Sequence, residues 1–255
     1  MLQVRELTIR FGGFRAVDGL NLSVEAGRLT ALIGPNGAGK TTFFNAVSGL
    51  IKPASGEILF NGKNLTGAKP HEITRAGMLR SFQIARGFPR MTVFEHLMLY
   101  DQANPGETFT GALFGGWRQR EEETAERALR IARRLKLDHV VDNLVTEISG
   151  GQKKLLEIGR GLMAEPQLLL LDEPVAGVNP TLAEQIGDQL KGLVEEGLTI
   201  LLIEHDMALV GRIAEHVIVM AQGKRLAEGT FAEVRNDPAV QDAYLGGGVP
   251  HAVGA

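Results

Sequence analysis

Short runs of mostly apolar residues, only four or five long, recur at Leu29 to Ile33, Leu168 to Leu171, Thr199 to Ile203 and His216 to Met220. Such runs are too short for core helices and do not alternate with polar residues. They therefore read as strands buried on both faces, which is the situation of a parallel sheet covered by helices. Helical stretches separate the later three, so the chain is expected to be α/β with a wound sheet. Its beginning is different. Leu2 to Arg10 and Leu20 to Val24 alternate apolar and polar residues on either side of Gly12 and Gly13, which predicts an antiparallel β start, and Gly56 to Phe60 predicts another strand after Pro53. From Pro70 to Leu144 the pattern turns helical, with a Gly/Pro-rich interruption at Pro105 to Gly116 and apolar residues at helical spacing in Arg118 to Arg134. The expected organisation is one domain. Residues 1–82 and 165–245 form its core, 83–164 an inserted helical part and 246–255 a frayed Gly/Pro/Ala-rich tail.

At 255 residues, 44% of them hydrophobic, the chain can bury a substantial core. It has no cysteine, which excludes disulfides and thiolate metal sites and fits a reducing compartment. A net charge of −3 provides no global attraction to nucleic acid or anionic lipid. No segment approaches the roughly 20 unbroken apolar residues needed to cross a bilayer. The opening MLQVRELTIR also carries charges where a secretory leader would be apolar, so a cytoplasmic location is expected.

Two motifs carry chemistry by themselves. Gly34, Pro35, Asn36, Gly37, Ala38, Gly39, Lys40 and Thr41 satisfy GxxxxGK[ST] directly after an apolar run and before a stretch, Lys40 to Leu50, that can form a helix. In that context the backbone amides and the helix N-terminus form an anion site for the phosphates of a nucleotide. Lys40 would reach the β- and γ-phosphates, Thr41 would offer its hydroxyl to Mg²⁺, and Thr42 would bond a phosphate one residue further on. The second motif, Leu168 to Leu171 followed by Asp172, Glu173 and Pro174, ends a buried strand in two adjacent acids. Packing does not ask for that. Asp172 is placed to hold Mg²⁺ and Glu173 to polarise the water that attacks the γ-phosphate.

Between these motifs lie Ser149, Gly150, Gly151 and Gln152, preceded by Ile148. GPNGAGKTT, ISGGQ and LLLLDEP in this order resemble an ATP-binding cassette over nearly the whole chain. The resemblance implies a P-loop NTPase fold with a mixed sheet core, an antiparallel β subdomain and an inserted α-helical subdomain. It implies ATP and Mg²⁺ as ligands, and it implies that Ser149, Gly150, Gly151 and Gln152 complete the γ-phosphate site of a facing subunit. Further roles come from position against the family pattern. Gln83, in RSFQ, would reach the metal and the attacking water, in a loop that faces the membrane domain. His205 would contact the γ-phosphate, and Phe11 would stack on adenine, with Phe14 as the competing aromatic. Asn179, in Ala176 to Asn179, stands where most cassettes have aspartate, so contacts that need a negative charge there are in question.

RSFQIARGFPRMTVFEHLML, LDEPVAGVNP, EHDMALV and GTFAEVRNDPAVQDAYLG together resemble the cassettes of branched-chain amino acid importers. The implied partners are a second cassette, identical or related, two transmembrane permease subunits and an external binding protein. The implied place is the cytoplasmic face of the inner membrane, peripherally bound. Relatives serving urea, short amides or lipopolysaccharide export share the same motor chemistry, and nothing in such a subunit touches the solute. Two other classes compete: a cassette ATPase working on DNA or ribosomes, and a nucleotide-binding module that no longer hydrolyses. The first is disfavoured by a single cassette without basic excess or sustained heptads, and the second by the presence of Lys40, Glu173 and His205.

Overall fold

In the computed structural model the described residues are 1–81, 88–101 and 117–245. Two compact units emerge. The first comprises Met1–Met78, Gln167–Glu173 and Leu190–Ala255, the second Leu79–Pro166 and Pro174–Gln189.

The first unit contains two sheets. β1 (Leu2–Phe11) pairs antiparallel with β2 (Phe14–Val24) through the Gly12-Gly13 turn, and on its other side with β4 (Ser55–Phe60), which carries the two-residue β5 (Lys63–Asn64). The sheet order is β2-β1-β4-β5. The second sheet has the order β10-β9-β3-β8-β7-β6. Within it β3 (Leu29–Ile33) lies parallel to both β8 (Thr199–Ile203) and β9 (His216–Ala221), and β7 (Leu168–Asp172) lies parallel to β8. β10 (Lys224–Gly229) returns antiparallel on β9, so the sheet is mixed as expected. β6 (Met78–Arg80) is a short edge strand inside the stretch read as helical from Pro70. The sequence expectation is corrected there: three residues are too few for periodicity to register, and Gly77, at φ 98, ends the preceding helix. Likewise β2 begins at Phe14 rather than Leu20, its irregular register against β1 hiding the alternation.

Side-chain parity explains the burial. Leu32, Leu201, Ile203, Ile218 and Met220 face one side of the mixed sheet, where they meet Phe43 and Phe44 of α1 (Lys40–Val47) and the apolar face of the antiparallel sheet. Ala31, Ile33, Val217 and Val219 face the other side, against Val210 of α7 (Met207–Ile213), Val234 of α8 (Phe231–Asn236) and Val240 of α9 (Pro238–Leu245). A strand covered on both faces has no polar positions, which is why these runs are continuous in the sequence. α1 stops at Val47, short of the expected Leu50, because Ser48 turns its hydroxyl onto the Phe44 carbonyl and Gly49 adopts φ 77.

The second unit is mainly helical. Its elements include α3 (Val93–Met98), α4 (Trp117–Arg134), α5 (Gly150–Met163) and the first part of α6 (Pro180–Glu195). Short α2 (Pro70–Arg75) belongs to the first unit. No helix among the described residues is long and apolar enough to cross a membrane. Leu170 lies in β7 with its side chain fully enclosed. Leu170→Ala is expected to lower unfolding free energy by about 2–5 kcal/mol in a denaturant titration, through lost burial and the cavity left behind.

Candidate functional site

The loop between β3 and α1 is formed by residues that cannot be larger. Gly34 has φ 148, and a methyl group built on it would run into the Met220 carbonyl; Gly39 has φ 98, and there a methyl would strike the Ala16 carbonyl. The loop therefore rests directly on the backbone of β2 and β9. The Gly223 amide donates to the Ala38 carbonyl at 3.0 Å, and the Asp18 amide donates to the Gly223 carbonyl at 2.9 Å, which tie the loop to the β9-β10 turn and that turn to β2. Gly39 occupies the N-cap position of α1 and offers no side chain, so the first amides of the helix keep no side-chain partner. A helix start in this condition favours an anion.

Lys40 follows at once and is only 6% exposed. Its ammonium donates to the Gly34 carbonyl at 2.6 Å and the Pro35 carbonyl at 3.1 Å, folding over the loop. Burial pushes its pKa below the ordinary lysine value, while the charges of Glu173 and Asp172 act in the opposite direction. Thr41 is exposed and Thr42 half-buried at the helix start.

At the end of β7, Asp172 and Glu173 are half-buried. Glu173 has φ 51, in the left-handed region that non-glycine residues seldom occupy, and its amide donates to the Ile203 carbonyl of β8 at 2.9 Å. Its carboxylate Oε1 lies 3.0 Å from His205 Nε2. Two residues far apart in sequence thus form a carboxylate–imidazole pair at the C-terminal end of parallel strands, where open α/β sheets bind ligands.

Sequence reading missed one member of this group. Glu204 is 3% exposed, and its Oε2 accepts from the His205 amide at 2.9 Å and the Asp206 amide at 3.4 Å. Asp206 in turn caps α7, accepting from the Ala208 and Leu209 amides at 3.0 Å each. The backbone carrying His205 is therefore held by side chains on both of its neighbours. An acid directly after four apolar residues was the available signal.

Phe11 and Phe14 face each other across the first hairpin and are 52% and 66% exposed. Neither ring is committed to the core, so both remain available for stacking. Gln83 lies outside the described residues, as does the tail from 246 to 255.

The remaining candidates belong to the second unit. Ser149 caps α5: its hydroxyl accepts from the Gln152 amide at 3.2 Å while Gln152 Oε1 accepts from the Ser149 amide at 2.8 Å, a reciprocal capping box. Gln152 Nε2 also lies 3.2 Å from His139 Nε2. Gly150 is exposed with open space where a side chain would stand, whereas a methyl on Gly151 would overlap the Leu182 side chain. Asn179 caps α6, its Oδ1 accepting from the Leu182 amide at 2.9 Å.

A glycine loop entering a helix, a buried lysine over it and a carboxylate–histidine pair at the sheet's C-terminal edge define a phosphate-loop nucleotide-binding protein. Comparison with known proteins takes this further. A model of the ABC transporter family matches residues 17–176, and one described as branched-chain amino acid ATP-binding cassette transporter matches residues 224–250. The probable branched-chain amino acid transport ATP-binding protein LivG of Archaeoglobus fulgidus is 42% identical over 246 residues, spanning 96% of this chain and 95% of the relative. The high-affinity branched-chain amino acid transport ATP-binding protein BraF of Pseudomonas aeruginosa is 41% identical over 253 residues, spanning 96% of this chain and 98% of the relative. Among solved structures, a nucleotide-free ATP-binding cassette from an ABC transporter superposes with a TM-score of 0.84 at 38% identity, covering 95% of this chain and 98% of that one. A dimeric cassette in a post-hydrolysis state, bound to ADP and Pi, gives a TM-score of 0.72 at 26% identity over 91% of this chain and 99% of that one. The chain belongs to the ABC transporter family, as the ATP-binding cassette that hydrolyses ATP.

Asparagine and aspartate are comparable helix caps. Asn179→Asp is therefore expected to leave chemical-denaturation stability within about 0.5 kcal/mol of the parent, while Asn179→Ala lowers it by about 1 kcal/mol.

Proposed function

We propose that this cassette drives the import of branched-chain amino acids, binding and hydrolysing ATP at sites shared with a second cassette and passing the resulting movement to transmembrane permease subunits. The observation that carries the chemistry is the pair formed by Glu173 and His205 at 3.0 Å on the same sheet edge as the phosphate loop. Glu173 is the general base toward the attacking water, and His205 holds that carboxylate and meets the γ-phosphate. Lys40 exchanges its carbonyl partners at Gly34 and Pro35 for the β- and γ-phosphates, a substitution of weak dipoles by full charges. The amino acid solute is supported by the names of the LivG and BraF relatives and by the match over residues 224–250.

The residues fit magnesium. Thr41 and Asp172 are hard oxygen donors at the two sequence positions flanking the phosphates, and Gln83 would add an amide oxygen. Among the described residues no cluster of three or more His, Cys, Asp or Glu can hold a metal alone, so the ion would be held jointly with nucleotide oxygens. When bound it neutralises charge on the phosphates; the protein's own part is placement of Lys40 and of the Glu173 carboxylate.

The dimer is supported by the ADP- and Pi-bound dimeric relative and by the state of the Ser149 segment. Its open Gly150, at the start of a helix whose Ser149 cap engages the Gln152 amide, suits a phosphate brought by a partner, identical or related. Permease contact would keep the protein peripheral on the cytoplasmic face of the inner membrane. No role with nucleic acid is proposed.

Glu173→Gln is expected to bind MgATP with near-parental affinity, to lose at least about a hundredfold in ATPase rate, and to accumulate as a dimer in sedimentation with MgATP. Turnover within a few-fold of the parent would remove the general-base role. Lys40→Ala should fail earlier, at nucleotide binding in a fluorescence titration. In the Glu173→Gln background, Ser149→Arg should oppose dimerisation, because ATP buried between two chains stabilises only the dimer. An unchanged dimer population would rule out Ser149 as part of the shared site. The solute is tested by radiolabelled leucine uptake into cells carrying the cassette with its neighbouring permease genes.

A further inference from the structure

The two glycines that open α5 differ in what lies beside them. Among the described residues nothing stands within 4 Å of the place a Gly150 methyl would take, whereas a methyl on Gly151 would sit 1.9 Å from Leu182 Cδ2 and 2.8 Å from both Cδ1 and Cγ. The three atoms nearest that methyl thus belong to one side chain. Turning the Leu182 methyls about the Cβ–Cγ bond would not clear the overlap, because Cγ itself is too close and its position is set at χ1. Gly151 is buried and Leu182 half-buried, so the leucine lies on the bare Cα of the glycine. Both residues belong to the second unit.

Leu182 reaches Gly151 from a segment with its own place near the carboxylates. It lies in the first turn of α6, and its amide donates to Asn179 Oδ1 at 2.9 Å, so cap and leucine are fixed together after the loop that follows Asp172 and Glu173. From another direction the Ser149 turn is tied through Gln152, whose Nε2 lies 3.2 Å from His139 Nε2. We propose that Leu182 is a positioning residue of the shared ATPase site: its side chain, packed on Gly151, sets the Ser149 turn against the start of α6, and this packing is what requires glycine at position 151. The two glycines then serve different surfaces. Gly150 keeps the exposed side open to a partner's phosphate, and Gly151 keeps the buried side open to Leu182. This role rests on the Ser149 segment completing a partner's site.

Without nucleotide, Gly151→Ala is expected to lower the melting temperature of the parent but to raise that of Leu182→Ala, where the methyl has room and alanine is the better helix former. An equal change in both backgrounds would overturn the packing. Function is read in the Glu173→Gln chain, as the protein concentration that gives half dimer in sedimentation with MgATP. Leu182→Ala should raise that concentration about three- to tenfold, while Leu182→Met, which conserves volume, should stay within about twofold of the parent. Kd for MgATP, measured at protein concentrations too low for dimer, should be parental in both. Gly151→Ala should raise the half-dimer concentration at least about tenfold, and adding Leu182→Ala should return it to the value of Leu182→Ala alone. A double variant as weak as Gly151→Ala, or a Leu182→Ala that dimerises as the parent does, would overturn the role. The first result would place the requirement for glycine at the partner's surface. Gly150→Ala serves as the control, since its methyl meets open space: relief of its defect by Leu182→Ala would also overturn the assignment. Failure of the shared site itself looks different, as no ATP-driven dimer in Glu173→Gln or a dimer indifferent to Ser149→Arg. The melting cycle is read on the nucleotide-free chain and stands in either case.

Discussion

The closest constraint in the site is backbone against backbone. The Met220 and Ala16 carbonyls stand where side chains of Gly34 and Gly39 would be, so the loop between β3 and α1 lies flat on β9 and β2. Much of the nearby architecture follows from that contact. β2 must run beside the mixed sheet to present Ala16, the β9-β10 turn must place Gly223 under Ala38, and Asp18 must reach the same turn from β2. Arg15 and Lys224 flank Asp18 at 2.8 and 3.4 Å and hold its carboxyl below the usual range, the hydrogen bond from Arg15 being the main cause. The antiparallel and mixed sheets are thus coupled through the floor of the glycine-rich loop, and α1 fills the space between them with Phe43 and Phe44.

Chemistry is added to this floor at strand ends. Glu173 accepts an unfavourable left-handed backbone so that its side chain meets His205, and its amide is compensated by the Ile203 carbonyl. His205 is set by a buried glutamate on one side and a capping aspartate on the other. Neither of these two side chains depends on a long mobile tether; both are fixed within a residue or two of a sheet edge, as accurate placement requires.

The parts legible in the sequence were those in which one local rule determines the outcome. Continuous apolar runs gave β3, β7, β8 and β9, and the glycine pattern gave the loop and the start of α1. What escaped depended on distance or brevity. β6 has three residues and β5 two, below the reach of any period, and β10 is held by pairing with β9 and not by its own polar sequence, Lys-Arg-Leu-Ala-Glu-Gly. Asn179 looked like a loss of charge and is also a helix cap, a role visible only once α6 is placed after it. Glu204 was passed over beside a histidine with a more familiar part, although its burial is what marks it.

The reciprocal cap at Ser149 settles the polarity of that corner of the molecule. A hydroxyl has one hydrogen to give and lone pairs to receive, and here a lone pair is already taken by the Gln152 amide. What the side chain retains for solvent includes its hydrogen, next to an unobstructed Gly150 at the helix start. A helix start favours oxygen anions over ammonium or guanidinium groups by the sign of its dipole. Because the turn is already closed by its own hydrogen bonds, an arriving anion finds the donors in place and does not have to order them, so little conformational entropy is lost on contact.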